Sequence, residues 1–295
     1  MGFTYSVVIP TGYRERYLTL AIADLLSQKF PAERFEIVIV DDTPDGANRA
    51  IVDRYRSSPV AVKYLRRAGP PGINAGRNTG VEGSTGDIVA FVDDDCRFGD
   101  GWLAALDAGV SSAPRAECFG GPIRQWIEPG HPRTCGRDAF PITVLDHGPA
   151  DRYVDLCFGA NFAVRRSAFE RIGPFDESAA LYGDEVDWML RLRRAGGCVR
   201  YVAAAEVVHT RFANDVTVKR MFAVARLKGK NMAHFDRKNG LSEPAVTVLR
   251  RAVRLTAHAI VLRCWTAAAH ALQAYVYAWN TARLNLRGTA DGQRA

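Results

Sequence analysis

Residues 86–98 read "GDIVAFVDDDCRF": an apolar run over 88–92 ends in three consecutive aspartates, Asp93, Asp94 and Asp95. Carboxylates a few ångströms apart raise one another's pKa and oppose folding unless a cation or an array of donors neutralises them. Mg2+ and Mn2+ prefer oxygen ligands, and at phosphate-handling sites such a cation takes one or two carboxylates along with phosphate oxygens. An aspartate triplet at a strand end suits that need. The plainer alternative is an Asp-rich turn that caps a helix beginning at Trp102.

Working outward, the same layout repeats through the first 95 residues. "YSVVIP" leads to "TGYRER", "FEIVIV" to "DDTPDG", "VAVKYL" to "RRAGPPG" and "DIVAFV" to "DDD". Between them, "RYLTLAIADLLSQ" places Tyr17, Ala21 and Leu25, and Leu18, Ile22 and Leu26, at helical spacing, and "ANRAIVDRYR" predicts a second helix. Apolar strands separated by helices indicate a mainly parallel sheet covered on both faces, and ligands of such sheets gather at the carboxyl ends of the strands. The acidic clusters, Asp41 with Asp42 and the triplet, fall at those ends. The glycines of "GPPGINAGRNTG" offer close backbone approach to a ligand, with Arg77 available for a phosphate or a base. Neither a GxGxxG fingerprint nor a GxxxxGK[ST] loop follows the first strand, which argues against dehydrogenase and P-loop NTPase readings.

The 295 residues, 47% apolar and 24% charged, suffice for a substantial core and exclude the disordered class. Six cysteines without a CxxC pair argue against a zinc site and a disulfide framework, and read as free, mostly buried thiols. The start "MGFTYSVVIP" lacks a basic segment and a long apolar run, so it reads as a first strand, with a cytoplasmic location expected. From Lys219 onward there are fourteen Lys and Arg against three Asp and Glu, net +11, leaving −4 of the total +7 for residues 1–218. No zinc-finger, homeodomain or RNP signature accompanies this basicity, so nucleic acid is not expected as a partner.

The middle is less regular: a helix from Trp102, a Pro- and Gly-rich stretch over 122–149, then "CFGANFAVRRSAFERIG". "EVDWMLRLRRAG" predicts a helix with Val186, Met189, Leu190 and Leu192 for packing, ended by Gly196 and Gly197, and Trp188 reads as packing. "VRYVAAAEVVHT" returns to strand composition. Residues 216–295 read as a basic helical extension to an α/β domain of residues 1–215, whose nucleotide-binding half covers about 1–115 and acceptor half about 116–215. Polar His270, Gln273 and Asn280 make residues 264–282 a poor bilayer span. An amphipathic face with Leu262, Trp265, Leu272, Tyr275, Val276 and Trp279 meets the domain, a second subunit in a homodimer, or the inner surface of a membrane as a peripheral contact.

Five ordered stretches, "SVVIPTGYRERYLTLAIADLLSQ", "EIVIVDDTPDG", "GINAGRNTGVEGSTGDIVAFVDDDC", "FGANFAVRRSAFERIGPFDE" and "LYGDEVDWMLRLRRAGG", resemble family 2 glycosyltransferases, covering residues 5 to about 210. The resemblance implies a GT-A (Rossmann-like) fold and inverting transfer from a nucleotide-diphosphate sugar, with Mn2+ or Mg2+, to a hydroxyl or amine acceptor. It implies that Thr11 and Asp42 help hold the nucleoside and Arg77 the base. Asp93 and Asp95 become the outer carboxylates of a DxD motif, Asp95 on the cation and Asp93 or Asp94 near the ribose, with His209 a third metal ligand. The family's catalytic base lies in an acidic pair, usually Glu then Asp, six residues before an arginine. Here the order is inverted as Asp184 and Glu185, and Glu185 stands six before Arg191, which nominates Glu185 with Asp184 as the alternative. The structureless rival for this pair is helix N-terminal charge. A sugar nucleotidyltransferase competes as an enzyme, although "IPTGYRER" lacks the glycine-rich basic loop it needs. A degenerate, non-catalytic binding module is the remaining alternative.

Overall fold

The computed structural model describes residues 2–130, 135, 142–178 and 183–292. They fall into two compact units, one drawn from Met1–Trp126, Thr143–Ser178 and Asp184–Thr210, the other from Ile127–Ile142, Ala179–Gly183 and Arg211–Ala295.

The first unit is the expected mixed α/β, mainly parallel sheet with helices. Strands β1 (Tyr5–Thr11), β2 (Phe35–Asp41) and β4 (Ile88–Val92) are buried along their whole length, as continuous β-branched runs predict for strands covered on both faces. β3 (Ala61–Arg66) is half-exposed because it is an edge. With β5 (Cys96–Phe98), β6 (Ala116–Gly120), β7 (Ile123–Ile127), β8 (Arg152–Val154), β9 (Asn161–Arg165), β10 (Cys198–Tyr201) and β11 (Val207–Arg211), the order is β3-β2-β1-β4-β9-β6-β10-β8 in the main sheet and β5-β11-β7 in a small one. Strands β1 to β4 pair in parallel, and β9 enters antiparallel between β4 and β6. That insertion puts Asn161 opposite Val92, at the strand end that carries the aspartates.

Of the six residues its periodicity marks, helix α1 (Glu15–Leu26) buries Tyr17, Leu18, Ala21, Ile22 and Leu25, whereas Leu26 is only half-buried. α2 (Arg49–Asp53) is only one turn of the expected second helix. The glycine-rich stretch is not mainly a ligand loop: residues Ile73–Glu82 form α3, and its glycines face the sheet. A Cβ on Gly80 would lie 2.2 Å from Val8 Cγ1, and one on Gly76 3.0 Å from Pro10 Cβ, so these residues let the helix backbone lie against β1. α4 (Trp102–Ser112) starts where expected, α5 (Arg166–Ile172) follows β9, and α6 (Asp184–Arg194) ends before Gly196, whose φ is 79°. The face α6 buries differs from the expected one. Trp188, Met189 and Leu192 pack inward as an apolar face should, but Glu185 and Asp187 are buried with them, while Val186 and Leu190 are only half-buried. Trp188 is fully buried against Phe169 and Phe175, with Nε1 donating to the Gly173 carbonyl, which confirms packing.

Among the described residues, the α-helices of the second unit are α7 (Val218–Asn239), α8 (Ala245–Leu262) and α9 (Trp265–Gly292). Thr217 caps α7, accepting from the Arg220 amide, and Gly240 ends it in the left-handed conformation. Ala233, Val248, Ala252, Ala274, Tyr277 and Ala278 make a small-residue core where α9 meets both other helices. Leu272 and Tyr275 pack on these cores, whereas Leu262, Trp265 and Trp279 remain exposed, so the expected single apolar face is split. Among the described residues, no helix is long and apolar enough to cross a membrane.

Candidate active site

The triplet occupies the turn from β4 into β5, closed by the Cys96 amide donating to the Asp93 carbonyl. The three carboxylates have separate environments. Asp94 is buried, accepting from Thr11 Oγ1 at 2.7 Å and Arg14 Nη1 at 2.9 Å. Burial and the neighbouring Asp95 charge push its carboxyl up to about 6, against the pull of Arg14 and Thr11. Asp95 is also buried and shares the same Arg14 nitrogen. Asp93 is only half-buried.

His209 arrives from far along the chain. β11 runs antiparallel to β5 with His209 opposite Cys96, and the Thr210 amide and hydroxyl both donate to the Asp95 carbonyl, at 2.8 and 2.7 Å. His209 Nε2 thereby sits 3.0 Å from Asp95 Oδ1 while Nδ1 faces the Thr143 carbonyl at 3.2 Å. A carbonyl only accepts, so a proton on Nδ1 satisfies it and leaves the Nε2 lone pair directed at the carboxylate. Such a carbonyl partner is how ligating histidines are commonly oriented. Ligand atoms of Asp93, Asp95 and His209 all lie within 4.8 Å of one another. Two carboxylates and a buried imidazole so arranged fit a divalent cation.

Asp41 is fully buried and consumed locally, accepting from the Thr43 amide and hydroxyl, the Asn48 amide and side chain, and Tyr64 Oη. Asp42, beside it, is paired with Arg67 and accepts from the Gly72 amide at 2.8 Å, bracing the loop that enters α3. The Asp42 amide donates to the Thr11 carbonyl at 2.9 Å, which brings Thr11 and Asp42 together at adjacent strand ends.

The acidic pair opens α6. Arg77, assigned to the base by resemblance, is 2% exposed and directs Nη1 to Asp184 Oδ2 at 2.6 Å and Asn74 Oδ1 at 2.9 Å, between the rings of Phe162 and Phe175. Glu185 Oε2 lies 4.0 Å from the same nitrogen, and Oε1 accepts from the Gly159 amide at 2.9 Å. Burial and the Asp184 charge push Glu185 up to about 8, against the pull of Arg77. Burial acts in the same sense on Asp184, but the Arg77 charge and hydrogen bonds from Glu185 and Arg77 outweigh it and hold that carboxyl below its usual range. Burial and the paired charge thus favour the protonated form of Glu185 and the ionised form of Asp184. Arg191, whose spacing nominated Glu185, bonds instead to Asp187 and the carbonyls of Ile172 and Pro174. The charge of Asp93 acts on Arg77 together with Asp184 and Glu185, so the two acidic clusters share one field.

Sequence reasoning missed Arg14, Asn74 and the Gly159 amide. Arg14 lies three residues beyond β1, at the strand end where ligands gather, and that position was the available signal. Asn74 and Arg77, three apart in α3, share a helix face. The Gly159 amide carried no signal, because only folding brings it to Glu185.

A parallel-rich sheet with a carboxylate–histidine cluster at one strand end and a charged acid pair beside it defines an α/β enzyme of nucleotide-handling design. The Glycosyl transferase family 2 model matches residues 6–173, and the chain belongs to that family, a glycosyltransferase by class. Among curated proteins it is 28% identical over 193 residues to Glycosyltransferase AglE of Haloferax volcanii, an alignment of 65% of this chain and 62% of that protein. It is 28% identical over 301 residues to the N-acetylglucosaminyl-diphospho-decaprenol L-rhamnosyltransferase of Mycobacterium tuberculosis, covering 88% of this chain and 92% of that one. Among solved structures it resembles, at 15% identity and a TM-score of 0.60, the mannosyltransferase PcManGT from Pyrobaculum calidifontis in complex with GDP-Man and Mn2+, covering 100% of this chain and 76% of that one. That likeness establishes a GT-A type fold.

Proposed function

We propose that the protein transfers a sugar from a nucleotide-diphosphate donor to a hydroxyl or amine acceptor by direct displacement with inversion, dependent on a divalent cation. The observation that carries this reading is the convergence of Asp93, Asp95 and His209 at the end of β4, within the field of the Arg77–Asp184–Glu185 cluster. Asp93, Asp95 and His209 would hold the cation, whose charge when bound offsets that of the donor diphosphate. A nitrogen ligand beside two carboxylates favours Mn2+ over Mg2+, which prefers an all-oxygen shell. Thr11 and Asp42 border the nucleoside, and Asp94, tied to Thr11 and Arg14, sets the shape of the turn. The acceptor oxygen or nitrogen bonds to the anomeric carbon as the bond from that carbon to the diphosphate breaks. Its proton passes to the ionised Glu185 carboxylate, the stronger base of the pair, while Arg77 keeps Asp184 ionised and both side chains in place. The Mn2+ and nucleotide sugar of the solved mannosyltransferase complex support this assignment of donor class.

The organisation we propose is a catalytic domain of residues 1–215 with a basic helical extension. α8 presents Val246, Leu249, Val253, Ala257 and Ile260 outward at helical spacing, flanked by exposed Arg250 and Arg254. An apolar stripe edged by cations supports peripheral docking on an anionic membrane surface. A second copy would set those arginines against like charge.

The test is metal-dependent donor binding. UDP-, dTDP- and GDP-sugars are screened for thermal stabilisation with Mn2+, and the effective donor is followed for slow hydrolysis. Asp95→Asn should abolish the Mn2+-dependent shift while the protein stays folded. Equal Mn2+-dependent affinity in that variant would overturn the reading.

A further inference from the structure

The cysteine spacing gives no hint of a zinc site, yet the second unit assembles a suitable set of ligands. We propose that Cys135, His258 and Cys264 bind a zinc ion, with water completing a tetrahedral shell. Their ligand atoms all lie within 4.8 Å of one another. Thiolate and imidazole bind zinc at about 2.0–2.3 Å, so tetrahedral ligand atoms stand roughly 3.5–4 Å apart, and only a small contraction is needed. Two sulfurs and a nitrogen form a far softer set than Asp93, Asp95 and His209, and select zinc over Mg2+ or Mn2+.

The local backbone is built around this trio. His258 lies in the last turns of α8 and Cys264 immediately precedes α9. Between them Arg263 adopts the left-handed conformation, φ 48°, and the Cys264 amide donates to the Ala259 carbonyl at 3.0 Å, folding the chain so that Cys264 returns beside His258. Cys264 Sγ takes a capping position, with the Ala267 amide directed at it from 3.5 Å. Cys135 also has a left-handed backbone, φ 55°, and its Sγ lies 3.9 Å from the Leu262 carbonyl. Among the described residues, Cys135 and Arg263 are the only non-glycine residues with positive φ. Such conformations are unfavourable for residues with a Cβ and persist where the surroundings impose them, often at functional sites. Here both fall at one cluster.

Binding would release two protons, one from each thiol, with His258 coordinating as the neutral imidazole. The ion would tie Cys135 to the turn between α8 and α9, a structural role separate from the sugar-transfer chemistry.

Zinc content of the full chain, purified under reducing conditions without added metal and freed of loosely bound ions, is the direct measurement. We expect about one zinc per chain, falling at least fivefold in Cys264→Ser and His258→Ala. Replacement by Co2+ should give a near-ultraviolet thiolate charge-transfer band, present in Asp95→Asn and absent in Cys264→Ser. If Cys264→Ser does not fold, Cys135→Ser gives the same reading. The proposal is overturned by wild-type protein with neither zinc nor the Co2+ band, by an intact mass two hydrogens short that reveals a Cys135–Cys264 disulfide instead, or by zinc that survives the cysteine variants and leaves in Asp95→Asn.

Discussion

If ionised Glu185 accepts the acceptor's proton, the pH dependence of transfer is set by its burial. With its carboxyl pushed up to about 8, roughly a tenth of the protein carries the ionised form at pH 7 and about nine-tenths at pH 9, so the rate should rise about tenfold over that interval. Loss of a general base typically costs about 10² to 10⁴ in rate. Glu185→Gln should show that full loss at pH 9 and a loss about tenfold smaller at pH 7, where most wild-type molecules are already protonated. Donor affinity should barely change, since Gln keeps the shape and still accepts from the Gly159 amide. The assay is nucleoside-diphosphate release from the effective donor at saturation, with water or an acceptor as nucleophile, between pH 6 and 9. Stability supplies an independent reading. A carboxyl raised from about 4.5 to about 8 binds its proton more tightly in the folded state, so it stabilises below 4.5 and that contribution is lost as pH climbs to 8. Glu185→Gln should therefore gain thermal stability relative to wild type above pH 8. A flat rate profile from pH 6 to 9, with Asp184→Asn abolishing transfer and Glu185→Gln within a few-fold of wild type, would refute the reasoning and make the ionised, Arg77-bound Asp184 the base.

Arg14→Met removes the cation shared by Asp94 and Asp95. Breaking a buried pair costs about 3–5 kcal/mol, discounted here to about 1–3 because the Arg14 side chain is 33% exposed. Thermal melts should show part of that loss restored by Mn2+, and identical recovery in an Asp95→Asn background would argue against the metal assignment. Gly80→Ala forces a Cβ into Val8 at 2.2 Å, so urea unfolding should show a loss of about 1–3 kcal/mol from overpacking. An unchanged midpoint would mean that α3 and β1 separate freely. Val253→Glu with Ile260→Glu, at exposed positions of α8, should cut co-sedimentation with phosphatidylglycerol vesicles at least tenfold without altering donor binding. If the same pair of changes dissolves a dimer and leaves vesicle binding untouched, a second copy covers the stripe.

The sequence by itself determined the parallel strands of the sheet and the strand ends where its acidic clusters fall. Continuous β-branched runs make strands that must be buried on both faces, helical spacing marks Tyr17, Leu18, Ala21, Ile22, Leu25 and Leu26, of which all but Leu26 are buried, and aspartates placed straight after such strands lie at the carboxyl ends of the strands. These are local properties, carried by continuous apolar runs and by a period of 3.6 residues. Tertiary structure alone decided what each side chain meets there. His209 reaches Asp95 because β11 pairs antiparallel with β5, and Arg14 neutralises Asp94 and Asp95 because β1 lies next to β4. Gly76 and Gly80 looked like ligand contacts, but the surface they approach is that of Pro10 and Val8. The buried setting of Glu185 and the Arg77 bridge to Asp184 depend on α3 and α6 coming together, residues more than a hundred apart in the chain. Desolvation and Coulomb energies depend on distances in space, which sequence spacing leaves open. For the same reason Cys135, His258 and Cys264, with no spacing motif to announce them, become neighbours only once α8 turns into α9.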